Sequence, residues 1–249
     1  MSIYPALKNY LPSSRPLLAL AVAAVTFAGL GLSAKAVALI GQLVLSDGNL
    51  SVTGPDVALY GPVHTNVNFD TSGGSVITGL TSAVGTITND GMNPSYLLGG
   101  TSAGASPVTY PTISAVLAAI GVAPDHEIFG NLIYSGVQTF SGIYLVHGFL
   151  NISSDAPGTA TFVVEGNIDI SGDASITNAV LNSSFPHGLA LYSKTGHVNI
   201  SGAAVKGSVA AKTTTDISGT TSIVPEPSSA LLLGLGGFGA AVMRRRKKA

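Results

Sequence analysis

Five histidines, His64, His126, His147, His187 and His197, are the side chains best suited to proton transfer or metal ligation near neutral pH. No two of them stand at a spacing that brings them to one ion. The densest titratable run is Asp125-His126-Glu127. Adjacent residues project in different directions, so a solvated turn is the expectation there rather than a cation site. A second group, Glu165, Asp169 and Asp173, recurs every four residues. On an extended chain the three fall on one side, where they are weak candidates for holding Ca2+ or for acting as acid and base on a sugar. The Asn and Ser residues that alternate with them are equally what a solvated wall requires, and that is the reading adopted. No HExxH, GxSxG or phosphate-binding loop pattern occurs. With no cysteine in the chain, thiolate ligands, cysteine nucleophiles and disulfides are excluded. No catalytic residue, metal or cofactor is assigned, and an enzyme is not expected.

The elements that carry these residues are short strands. From Leu43 the sequence breaks into apolar runs separated by Gly, Pro and Asp: Leu43-Val44-Leu45, Gly48 to Gly54, and Val57 to Val63. Between Gly79 and Ala105 it loosens into Gly, Ser, Thr and Asn, which reads as a long loop. One helix is predicted over Pro111 to Ile120, with Ile113, Val116, Leu117 and Ile120 at helical spacing, Thr112 or Ser114 as cap and Gly121 as stop. After Asp125 a unit repeats, Gly-x-apolar-Asn/Asp-Ile-Ser-Gly/Ser, at Gly148 to Ser154, Gly166 to Gly172 and Gly196 to Gly202. A fourth copy, Thr213 to Gly219, lacks the leading Gly, and Gly48 to Gly54 is a related fifth. The isoleucines Ile152, Ile170, Ile200 and Ile217 step by 18, 30 and 17 residues, the long interval holding a loop-sized excess at Asn182 to Gly188.

A period near 18 is the length of one turn of a β-solenoid, whose turns bury their apolar rows only by stacking. The four isoleucines would then line the inside, and Asn151, Asp169, Asn199 and Asp216 an outer polar row. Thr161 to Val164, Leu189 to Tyr192 and Val205 to Val209 would form a second wall. An antiparallel sandwich also suits short strands and Gly-rich turns but gives no reason for a repeated unit. The expected fold is all-β: a parallel β-helix or solenoid body over 39–223, with a loop and short helix inserted at 79–126.

Both ends read as signals. Lys8 and Arg15 precede the uncharged run Pro16 to Leu32, and Ala34, Ala36 and Ala38 offer small residues for cleavage, so 1–38 reads as a signal helix and leader handled by the secretion translocon. At the other end Val224-Pro225-Glu226-Pro227-Ser228 cannot continue a helix or central strand. It is followed by the apolar run Ala230 to Met243 and by Arg244, Arg245, Arg246, Lys247 and Lys248. Fourteen helical residues reach about 21 Å, short of a hydrocarbon core, but Ser228, Ser229 and snorkelling arginines close most of the gap. The basic block fixes that end of the transmembrane helix on the cytoplasmic side.

The order Val-Pro-Glu-Pro, short membrane helix, arginine-rich terminus resembles the PEP-CTERM sorting signal of Gram-negative bacteria that make exopolysaccharide. The resemblance covers 224–249 only. It implies an exosortase as partner, cleavage near Pro225-Glu226-Pro227, and delivery of a membrane-held precursor to the cell surface.

Removal of both ends changes the charge. The lysines left are Lys194, Lys206 and Lys212 against twelve acids from Asp47 to Glu226, a formal charge of −9, or −8 if Glu226 leaves with the tail. A body without a basic stripe is no partner for nucleic acid. Some parallel β-helices cleave acidic polysaccharides, but this body has no arginine to stabilise a developing carboxylate charge. Ala203 to Val209 also resembles endings of ice-binding solenoids, although Thr213 to Thr215 form a run rather than a column. The expectation is a structural or adhesive surface protein of the exopolysaccharide or biofilm matrix. The alternatives are a polysaccharide lyase or hydrolase and an ice-binding solenoid.

Overall fold

The structure, a computed structural model, describes residues 39–90, 94–153 and 155–225. The leader 1–38, with Ala34, Ala36 and Ala38, lies outside the described residues. So do Glu226, Pro227 and Ser228, the apolar run and Arg244, Arg245, Arg246, Lys247 and Lys248. Among the described residues no helix is long and apolar enough to cross a membrane.

Three coils come first in the chain: β1 (Val44–Ser46), β2 (Leu50–Thr53) and β3 (Ala58–Leu59); β4 (Val63–Thr65), β5 (Phe69–Ser72) and β6 (Val76–Ile77); β7 (Thr81–Ala83), β8 (Ile87–Asn89) and β9 (Tyr96–Leu97). After β10 (Thr101–Ala103) the chain passes through helix α1 (Ile113–Ile120). It then resumes coiling through β11 (His126–Ile128), β12 (Leu132–Ser135), β13 (Phe140–Val146), β14 (Leu150–Ser153), β15 (Pro157–Val164), β16 (Ile168–Ser171) and β17 (Ser175–Thr177). The last elements are β18 (Val180–Asn182), β19 (Phe185–Ser193), β20 (Val198–Ser201), β21 (Ala204–Lys206), β22 (Ser208–Ala211), β23 (Thr215–Ser218) and β24 (Ser222–Val224).

The strands stack in parallel into three walls. A polar wall runs β12-β14-β16-β20-β23-β2-β5-β8. A helix-covered wall runs β11-β13-β15-β19-β22-β1-β4-β7-β10, and a narrow wall runs from the first residues of β13 and β15 through β17-β21-β24-β3-β6-β9. The order along the coil is therefore not the order along the chain. The first coil of the sequence sits in the middle, with β2 between β23 and β5, and the first three coils grow outward from it. α1 then carries the chain back across the molecule to the opposite end. From there the coils return until β22, β23 and β24 close against β1, β2 and β3.

Period-two alternation explains the walls. Ile152, Ile170, Ile200 and Ile217 stack in register and are buried, and Val52 continues their column. Asn151, Asp169, Asn199 and Asp216 stack on the outside, as the parity of the repeat requires. The corners need two kinds of glycine. A Cβ on Gly196 would stand 2.7 Å from the backbone nitrogen of Asn167 and 2.7 Å from the carbonyl carbon of Gly166, so the leading glycine of the unit packs backbone on backbone. The trailing glycine, as at Gly172 with φ 84°, turns the next corner in the left-handed region. Between them Asn167 accepts a hydrogen bond from the His197 N–H of the neighbouring coil at 3.2 Å, and Asn131 does the same for Phe149.

α1 is capped by the Thr112 side chain and ends on left-handed Gly121, as predicted. It lies on the helix-covered wall, where Val116 and Ile120 pack with Leu45, Leu145, Val163 and Tyr192 in a second core outside the coil. Tyr192 donates from its hydroxyl to the Pro111 carbonyl at 2.7 Å, and Tyr110 donates to the Ser193 carbonyl at 2.5 Å.

Three expectations are corrected. Residues 79–105 are not a loop: β7 to β10 continue the coil, and only the segment around α1 interrupts it. The repeat is weak there because the interior turns polar, with Thr71, Ser75, Thr81 and Ser95 buried and Thr71 hydrogen-bonded to Ser95 at 2.7 Å. The strands outside the repeat units form two walls, not one. Gly207, at φ 124°, divides Val205 to Val209 between β21 on the narrow wall and β22 on the helix-covered wall. The excess at Asn182 to Gly188 is not a plain loop but belongs to an antiparallel hairpin of β18 with the start of β19.

Candidate functional site

The polar wall is the largest ordered array of functional groups in the described body. Eight strands place two outward columns on it, about 7 Å apart along each strand, with coils about 4.8 Å apart. One column reads Ile133, Asn151, Asp169, Asn199, Asp216, Ser51, Asp70 and Thr88, the exposed Ile133 of β12 being its one apolar member. From Asn151 to Thr88 acid and neutral residue alternate, which holds successive carboxylates about 9.6 Å apart, close to one Debye length at physiological salt. Like charges on adjacent strands would destabilise the stack; this order avoids them.

The second column is made of hydroxyls: Ser135, Ser153, Ser171, Ser201, Ser218, Thr53 and Ser72, in unbroken register. The repeated Ile-Ser of the sequence unit accounts for four of them. Ser135, Thr53 and Ser72 fall outside that Ile-Ser pattern, and sequence reasoning misses them; their signal is the 18-residue offset from Ser153 and the register of β2 and β5. At the β8 end the wall opens into a groove of about 420 Å³ lined by Thr53, Asp70, Ser72, Thr88 and Asp90.

Glu165, Asp169 and Asp173 do not converge. Asp169 stands mid-wall and accepts from His197 Nε2 at 3.1 Å. Glu165 precedes β16 at the corner and Asp173 follows it at the next corner, each four residues from Asp169, or about 13 Å along an extended chain. Asp125, His126 and Glu127 likewise serve separate partners. Asp125 accepts from the Ile143 N–H at 2.8 Å, the His126 ring stacks on Tyr144, and Glu127 bonds His147. Among the described residues no group of three or more His, Asp or Glu is placed to hold a metal ion.

The corner between the helix-covered and polar walls carries a charge ladder that local sequence context does not announce. His147 Nε2 lies 2.9 Å from Glu127 and its Nδ1 lies 3.6 Å from Glu165, which also receives Lys194 Nζ at 2.8 Å. The hydrogen bond that His147 donates to Glu127, with the charge of Glu165, raises the His147 pKa above its usual 6.5. Lys194 lowers the Glu165 pKa below its usual 4.5, against a smaller opposing effect of burial. Further along the same corner Asp47 pairs with Lys212 and accepts from Asn66 at 2.6 Å. Burial pushes its pKa up, and these two partners more than reverse that, leaving it below 3.8. The signal for the ladder is again the offset: His147 and Glu165 are 18 residues apart.

Of the proposed sorting residues, Val224 ends β24 on the narrow wall and Pro225 follows it, both half-buried. No curated protein matches the chain in sequence. Similar solved structures include an ice-binding protein from an Antarctic ascomycete, Antarctomyces psychrotrophicus, 15% identical, covering 75% of this chain and 95% of that chain with a TM-score of 0.39. An ice-binding protein from an Arctic yeast is 17% identical, covering 75% of this chain and 93% of that chain with a TM-score of 0.39. A glycosylated structure from Arctic yeast is 14% identical, covering 74% and 91% with a TM-score of 0.35. Residues 224–247 match the PEP-CTERM protein-sorting motif, so the β-solenoid body ends in a signal that implies export as a membrane-anchored precursor and processing by an exosortase.

Proposed function

We propose that the chain is a non-catalytic surface protein whose solenoid serves as a structural or adhesive element of the exopolysaccharide or biofilm matrix. The observation that carries this reading is the polar wall. Its amide, carboxylate and hydroxyl groups repeat in register over seven coils in each column, which suits many weak contacts to an extended hydrated polymer. The dispersal of Glu165, Asp169 and Asp173 along that wall favours binding over glycan cleavage. The leader at 1–38, the membrane helix and the final basic block complete the export route in this reading. Deletion of Val224 to Ala249 is expected to abolish surface display and release the body to the periplasm or medium; continued display of the truncated chain refutes the route. For the chemistry, the purified protein is incubated with the producer's own polysaccharide and chain length is followed. No shortening is expected, and shortening that disappears in Asp169→Ala makes the protein an enzyme.

A second reading, an ice-binding solenoid, is favoured by the hydroxyl column, six serines and one threonine in unbroken register. Inhibition of ice recrystallisation that is lost on Ser171→Tyr would select it over the matrix reading.

A further inference from the structure

The narrow wall differs in kind from the polar wall. Towards the β9 end its outward residues are Val224, Tyr60, Thr78 and Leu98 in one column and Ser222, Ala58, Val76 and Tyr96 in the other, by the registers of β24, β3, β6 and β9 and their continuation. Tyr60 is 47% exposed, Tyr96 62% and Leu98 68%. The strands of this wall contain no Asp or Glu, and the one charged side chain among them is Lys206. The polar wall carries Asp70, Asp169 and Asp216. A largely apolar, tyrosine-bearing patch of this kind, uncharged from β24 to β9, marks a contact surface on a hydrophilic body.

Its position names the partner. The described chain leaves the body at Val224 and Pro225, in the same column as Tyr60. Only Glu226, Pro227, Ser228 and Ser229 separate that exit from the apolar run beginning at Ala230, and four residues span at most about 14 Å. A body so tethered must turn the exit side towards the bilayer. The strands of that side carry no acid, the nearest being the exposed Asp56 two residues before Ala58 and Glu226 after the exit, and its tyrosines are the residue type that settles at a lipid–water interface.

We propose that the β9 end of the narrow wall is the membrane-facing surface of the anchored precursor, with Tyr60, Tyr96 and Leu98 seated at the headgroup level of a phospholipid bilayer. This rests on the reading of the tail as a membrane anchor. The tether keeps the patch at high effective concentration beside the lipid, so a contact of three side chains is enough; cutting at Pro225-Glu226-Pro227 removes the tether and frees the wall.

The chain contains no tryptophan, so single substitutions give clean reporters. Full-length Tyr96→Trp, Leu98→Trp and Ser171→Trp are reconstituted into phosphatidylcholine and phosphatidylglycerol vesicles brominated near the headgroup. The first two are expected to emit at shorter wavelength and to be quenched by brominated lipid. Ser171→Trp, on the polar wall, is expected to stay open to an aqueous quencher. Chain that floats with the vesicles while all three reporters remain open to water overturns the proposal and leaves the anchor reading standing. Shielding of the Tyr96→Trp or Leu98→Trp reporter from water without quenching by lipid also overturns it, by placing another protein on the wall. Chain that fails to float defeats the anchor reading itself, and the proposal with it.

Discussion

His147 stands between Glu127 and Glu165 at a half-buried corner, and each of its two nitrogens faces a carboxylate. Because its folded pKa is raised above 6.5, the charged imidazole contributes in full below that value, and the contribution is lost as pH climbs through the raised pKa. Glu165 has the opposite sign. Its pKa is lowered from 4.5, so its contribution is full above 4.5 and is lost as pH falls through the lowered value. Both contributions are full together between 4.5 and 6.5, and each fades beyond that interval as pH passes its shifted pKa. Thermal denaturation across pH is expected to show highest stability in that interval, with His147→Gln flattening the decline on the alkaline side. The effect is small, since the pairs are open to solvent and salt. A wild-type profile indistinguishable from that of the variant would show the ladder to be decorative. None of this was legible from local context, because the partners meet only through the coil offset. The Asn and Asp row was legible, because it is written inside each repeat unit.

At the scale of elements, the close approach of coils and the docking of α1 make separate demands. Gly196→Ala places a methyl group against the Asn167 backbone and is expected to cost about 1–3 kcal/mol, read as a fall in urea midpoint, as other overpacked contacts do. The fourth copy escapes this demand, since Thr213 holds the equivalent place. Tyr192→Phe keeps the ring that stacks on Tyr110 at 5.5 Å but removes the donor to the Pro111 carbonyl. Loss of that buried bond is expected to cost about 1–2 kcal/mol and to raise hydrogen exchange in α1 more than in the coil. Equal exchange throughout would mean that α1 and the coil open as one unit. Helix α1 was readable because cap, apolar spacing and glycine stop all agree. The β7 to β10 coil was not. Its interior is satisfied by hydrogen bonds between Thr and Ser side chains, so the apolar alternation that announces a strand fades where the fold continues.

At the scale of the whole described body, the repeat unit revealed coils but not their order. Nothing in Gly48 to Gly54 says that Val52 will sit on Ile217 rather than under the next copy, because every copy presents the same apolar edge. The order follows from closure: β22, β23 and β24 meet β1, β2 and β3 across a seam as regular as any other step in the stack. The two arms therefore belong to one cooperative unit although a long crossover separates them. A protease site placed at the exposed Val122-Ala123 segment after α1 cuts the chain between the arms without touching the seam. The fragments are expected to co-elute under native conditions and to unfold in a single transition. Ile217→Asp buries an unpaired charge in the column that crosses the seam, at a cost of more than about 3 kcal/mol, and is expected to let the cut fragments separate. If the wild-type fragments part on cutting, the seam is not what joins the arms, and the coil must be held by the crossover alone.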